Sequence, residues 1–129
     1  MTTGPCDCIG DDGAAAKKAI LATRDLARLV DESHFGVSIR QCGRCGQRFL
    51  TIFCERVDWV DSDDPQAWIA APVSEDESAK LQAADVAGDE YAIVRVLPDV
   101  RRILYNDMPK GAPDTLTWMT RRLFIPGHD

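Results

Sequence analysis

The stretch from Phe35 to Cys54, FGVSIRQCGRCGQRFLTIFC, decides the fold. Phe35, Val37 and Ile39 alternate with Gly36, Ser38 and Arg40, the period of two that marks a half-buried strand. From Arg48 the alternation resumes. Phe49, Thr51, Phe53, Val57 and Trp59 fall on one face, and Leu50, Ile52 and Cys54 on the other. Two such runs, the second reaching Val60, are joined by the glycine-rich CGRCG of residues 42–46. This predicts an antiparallel hairpin.

Working outward, Asp11-Asp12-Gly13 precedes a run from Ala14 to about Val30. Ala16, Ala19, Ile20, Thr23, Ala27 and Val30 recur there at spacings of three and four, which predicts one amphipathic helix. Beyond the hairpin, residues 61–65 form a turn cluster and Ala67 to Ala71 a short strand. Ser74 followed by Glu77 is a capping box opening a helix that reaches about Ala84, with Gly88 as a stop. Strands are expected at Tyr91–Leu97, Val100–Tyr105 and Leu116–Ile125. The outline is α+β: a helix, a hairpin, a second helix and a C-terminal meander, in a single domain spanning 1–129.

Four of the five cysteines fall in two tight pairs, Cys6-x-Cys8 and Cys42-x-x-Cys45. A tetrahedral zinc site takes four soft ligands, and two short-spaced pairs supply them; iron fits the same four-sulfur set. Gly46 lets the chain curl so that backbone amides approach sulfur without a Cβ in the way. The Cys42-Gly-Arg-Cys45-Gly46 segment between two strands resembles the knuckle of a zinc-ribbon or rubredoxin-like module. The resemblance covers residues 35–59 and implies that Cys42 and Cys45 are metal ligands. Ribbons pair this knuckle with a second Cys-x-x-Cys, whereas here the other pair is Cys-x-Cys upstream of a helix. Cys6 and Cys8 are therefore proposed from ligand number alone.

Two other readings of the thiols stand beside the metal site. Cys42 and Cys45 could act as a redox pair, although the strand after Gln47 supplies no helix N-terminus to activate a thiol. The thiols could also do nothing in concert. Cys54 shares a strand face with Leu50 and Ile52, which predicts a buried inert thiol, with substitution for a ligand as the alternative. His34 is a further substitute ligand. His128 and the acids Asp58, Asp61, Asp63 and Asp64 form no recognised metal or catalytic motif, and Asp61–Pro65 lacks the glycine of a calcium loop.

The 129 residues are 45% hydrophobic and 28% charged, an ordinary globular balance. Net charge is −6, which argues against nucleic-acid binding by the surface as a whole. The charge is uneven: Glu55 to Glu90 holds eleven acids against two bases, between slightly basic flanks. Arg40, Arg44 and Arg48 surround the knuckle and could bind an anion or nucleic acid, or simply solvate the hairpin tip. Trp59, Trp68, Trp118, Tyr91 and Tyr105 fall on strand patterns and are expected mostly in the core. No secretory signal or membrane span is read, so the expected setting is the cytoplasm, where thiols stay reduced. The expected function is a zinc-binding, non-enzymatic module with a structural Cys₄ site that recognises a protein partner, a basic one by charge. The alternatives are a thiol redox protein or metal-dependent enzyme using Cys42 and Cys45, and nucleic-acid binding through the knuckle arginines.

Overall fold

The computed structural model describes residues 6–55, 65–109 and 111–126. The carboxylates at 58–64, Trp59, the end of the expected second hairpin strand and His128 lie outside them. Among the described residues, six antiparallel strands form one sheet in chain order: β1 (Arg24–Asp31), β2 (Phe35–Gln41), β3 (Arg48–Glu55), β4 (Gln66–Val73), β5 (Val100–Met108) and β6 (Thr115–Arg122). A 3₁₀ turn at Asp7–Ile9 and helix α1 (Gly13–Leu21) precede the sheet, and α2 (Glu75–Ala83) and α3 (Ala92–Val96) lie between β4 and β5. The expected α+β outline, with a helix first, a knuckled hairpin, a second helix and late strands, is the observed one.

The hairpin has the register that its alternation demands. Val37 pairs with Ile52 and Ile39 with Leu50, so one apolar set faces one side of the sheet. That side carries α2 and α3, with Leu81, Ile93 and Leu97 packed against Ile39, Leu50, Ile52, Ile69 and Ile103. The other side carries α1, whose Ala16 and Ile20 pack against Phe49, Trp68, Ala70 and Leu104. Both faces of β3 and β4 are thus buried. The capping box of α2 is present: Glu77 N–H donates to the Ser74 hydroxyl, and Ser74 N–H donates to the Glu77 carboxylate. The helix ends at Ala83, ahead of Gly88, whose amide donates to Asp85.

Two expectations are corrected. The first helix stops at Leu21, where Thr23 turns its amide and hydroxyl back onto the Ile20 carbonyl. Arg24–Asp31 is an edge strand with two register shifts against β2. Ala27 pairs with Ile39 and Val30 with Val37, so three residues of β1 span two of β2. A bulged strand therefore presents its core residues three apart, and that spacing imitates a helix. The second correction is Tyr91–Leu97, whose alternating, β-branched pattern reads as a strand but which forms the single helical turn α3. Ile93 and Leu97, four apart, are both fully buried against the α2 side of the sheet, and that packing overrides strand propensity.

Candidate metal centre

The knuckle follows directly from the end of β2. Cys42 N–H donates to the Gln47 carbonyl and Gly46 N–H to the Cys42 carbonyl, closing a tight turn. Gly46 sits at φ +81°, the left-handed region that favours glycine. Gln41 braces the turn through the Gly46 carbonyl, and Gln47 ties it to Val73 on β4.

The first cysteine pair reaches the knuckle from the far end of the chain. The 3₁₀ turn closes with Ile9 N–H on the Cys6 carbonyl, which directs Cys6 and Cys8 toward β2. Two residues of the late strands hold that turn down. Arg102 donates to the Ile9 carbonyl at 2.8 Å and pairs with Asp11. Trp118 donates from its indole to the Gly10 carbonyl at 2.7 Å, and the Arg102 guanidinium stacks over its ring. Their role was missed in the sequence, because nothing local marks a residue of β5 or β6 as a partner of residue 9 or 10.

The result is a single cluster. The sulfurs of Cys6, Cys8, Cys42 and Cys45 all lie within 4.8 Å of one another, so the group can hold a metal ion. Cys6 Sγ is 3.7 Å from Cys42 Sγ, and Cys8 Sγ is 3.5 Å from Cys45 Sγ. A metal 2.3 Å from each of four tetrahedral sulfurs sets them about 3.8 Å apart. All five cysteines are free thiols. Cys8 and Cys42 are buried beside Phe49 and Ile20, Cys6 is half-buried, and Cys45 is exposed.

Burial pushes the Cys8 thiol up, and the neighbouring thiols of Cys45, Cys42 and Cys6 add to the effect. Burial acts the same way on Cys42, but there it is outweighed. The backbone amides of Cys45 and Arg44 and the thiols of Cys8 and Cys6 bring Cys42 down to about 7. Cys45 is raised, chiefly by burial, against the amide of Gln47. Amides directed at sulfur favour thiolate, yet four thiolates crowd one another unless a cation sits between them.

No family model, curated protein or solved structure matches this chain.

The other candidate residues lie apart from the cluster. Cys54 is buried on the α2 side of the sheet, opposite α1, and burial pushes its thiol up to about 11. His34, at the far end of β2 from Cys42, bonds Glu55 at 2.8 Å. The three knuckle arginines diverge. Arg40 turns to the Thr23 carbonyl and Asp25, Arg48 to Ser78 and Glu75, and exposed Arg44 lies 3.9 Å from Asp7. Arg40 shares a face with Phe49, and Arg48 shares one with Leu50, so the two point to opposite sides of the sheet. A cleft of about 850 Å³ runs between α1 and the knuckle, with Lys18, Arg24 and Arg44 on its rim. Of the aromatic residues, Trp68 is buried, Trp118 and Tyr105 are half-buried, and Tyr91 is exposed.

Among the described residues of the acidic stretch, five carboxylates are paired within the fold. Glu55 pairs with His34, Glu75 with Arg48, Asp76 with Lys80, Glu77 with Arg101, and Asp89 with Arg95. Among the described residues, no helix is long and apolar enough to cross a membrane.

Proposed function

We propose that this chain is a small zinc-binding module, one domain over its whole length, in which Cys6, Cys8, Cys42 and Cys45 form a closed structural site. The observation that carries the reading is the cluster of four sulfurs with closest approaches of 3.5 and 3.7 Å, near the edge of a zinc–sulfur tetrahedron. Four protein ligands fill a tetrahedron and leave no position for substrate, which favours a structural over a catalytic metal. The closest sulfurs belong to different pairs, and Cys42-x-x-Cys45 joins two strands rather than opening a helix. Both features favour chelation over dithiol redox chemistry.

When bound, the metal supplies a cross-link and a charge. It ties the N-terminal turn to the hairpin tip across more than thirty residues of chain, so its affinity becomes folding free energy. Zinc with four thiolates carries net −2, and Lys18, Arg24 and Arg44 on the neighbouring rim offset it. The module's role is protein recognition in the cytoplasm, where reduced thiols remain available to the metal.

Elemental analysis of the purified chain should find zinc at one atom per chain. The four clustered thiols should resist a thiol reagent until a chelator removes the metal, and the chain should then lose structure. A metal-free chain that is fully folded with all four thiols reacting freely overturns this reading.

A further inference from the structure

The six-stranded sheet has two outer edges that differ in kind. The β1 edge is broken by two register shifts and carries exposed Arg24, Arg28 and Asp31, the features that blunt an edge against further pairing. The β6 edge is unbroken. Its eight residues pair with β5 in one continuous register, from Val100 opposite Arg122 to Asp107 opposite Thr115. No proline or bulge interrupts it, and no described residue covers its outer side as a further strand. Its charges lie only at the ends: Arg121 and Arg122 at one, and Asp114, just before Thr115, at the other. Among the described residues, neither Arg122 nor Asp114 has a charged partner.

We propose that β6 is a homodimer interface, where two copies join edge to edge into one twelve-stranded antiparallel sheet. Self-complementarity selects the second copy as the occupant. A two-fold axis normal to the sheet keeps each side chain on its own face, so paired residues must be both even- or both odd-numbered, and one residue faces its own copy. Two registers keep nearly the whole strand paired, centred on Trp118 or on Met119. Centred on Trp118, Arg122 falls opposite Asp114 of the second copy, twice by symmetry. Centred on Met119, Arg122 meets Leu116 and the charges find no partner. The Trp118 register therefore matches opposite charges at both ends of the interface.

Sedimentation equilibrium of the full chain, from micromolar towards millimolar concentration, tests this. The wild type should approach twice its 14.2 kDa mass as concentration rises. Arg122→Asp sets two carboxylates against each other at both ends and should raise the dimer dissociation constant roughly tenfold or more. Both positions are exposed, so the fold should survive the change. The double variant Asp114→Arg with Arg122→Asp restores opposite charges and should return the constant close to the wild-type value. A wild type that stays monomeric throughout overturns the proposal. So does a dimer indifferent to Arg122→Asp, or one that the double variant fails to rescue.

Discussion

The indole of Trp118 on β6 donates a 2.7 Å hydrogen bond to the carbonyl of Gly10, 108 residues upstream. With Arg102 bonded to Ile9 and stacked on the same indole, it fastens the turn that presents Cys6 and Cys8. These two side chains touch no sulfur, yet they fix where half the donor set stands. Arg102→Ala is therefore expected to weaken zinc binding by roughly 10- to 100-fold, as for other residues that orient ligands. Competition with a chromophoric chelator measures this. Unchanged affinity would show that the turn holds its place without the arginine.

The four cysteines are not equivalent in depth, and that separates two contributions to stability. Cys8 is fully buried and Cys45 is exposed. Serine at either position should abolish tight zinc binding. In the presence of chelator, however, only Cys8→Ser places a hydroxyl in an apolar site, at a cost of about 1–2 kcal/mol. Urea unfolding with excess chelator should find Cys8→Ser less stable than Cys45→Ser by that amount. Equal stabilities would mean that the Cys8 pocket admits water.

Legibility in the sequence follows the range of the interaction. The β2–β3 hairpin and the capping box at Ser74 are local patterns with one physical meaning, and each lies where expected. The two cysteine pairs allow several readings by themselves, and the structure brings their four sulfurs into one cluster. The burial of Cys54 on the face of Leu50 and Ile52 follows from the same alternation. Arg24–Asp31 reads as helix in the sequence because a bulged strand spaces Ala27 and Val30 as a helix would. Tyr91–Leu97 reads as a strand in the sequence, but strand propensity yields to the burial of Ile93 and Leu97 on one side of a short turn. The Arg102–Trp118 clamp joins residues more than ninety positions from their partners. No local pattern announces such a contact.

Gly46 and Gly43 share the knuckle but answer to different constraints. A Cβ at either position meets nothing within 4 Å, so sterics against neighbours do not distinguish them. Only Gly46 has positive φ, at +81°. Gly46→Ala should cost about 1–2 kcal/mol through backbone conformation alone and weaken metal binding, because the turn aims the amides at sulfur. Gly43→Ala should be close to neutral. Thermal unfolding of the two zinc-loaded variants makes the comparison, and equal loss at both positions would contradict this account of the turn.

Glu77 links α2 to β5 and gives the fold an acid-sensitive element away from the cysteines. Its carboxylate accepts two hydrogen bonds from Arg101, at 3.1 and 2.7 Å, and one from the Ser74 amide. The Arg101 bonds, first, and then the Ser74 amide outweigh partial burial and hold Glu77 below its ordinary value of 4.5. A carboxyl that is more acidic folded than unfolded stabilises the folded state fully above its unfolded pKa. That contribution fades as the pH falls through the lowered folded value. Glu77→Gln keeps the shape but removes the charge, so it should cost about 1 kcal/mol at neutral pH. The difference between variant and wild type should shrink towards zero in strong acid. Glu55 and Asp89 are also held low, by Gln66 and His34 and by Arg95 respectively, but they are common to both proteins and cancel in the difference. Urea midpoints for the pair, followed from neutral pH downward in excess chelator, isolate Glu77 from metal loss. A gap that stays constant with pH would assign the effect of the substitution to packing rather than to the ion pair.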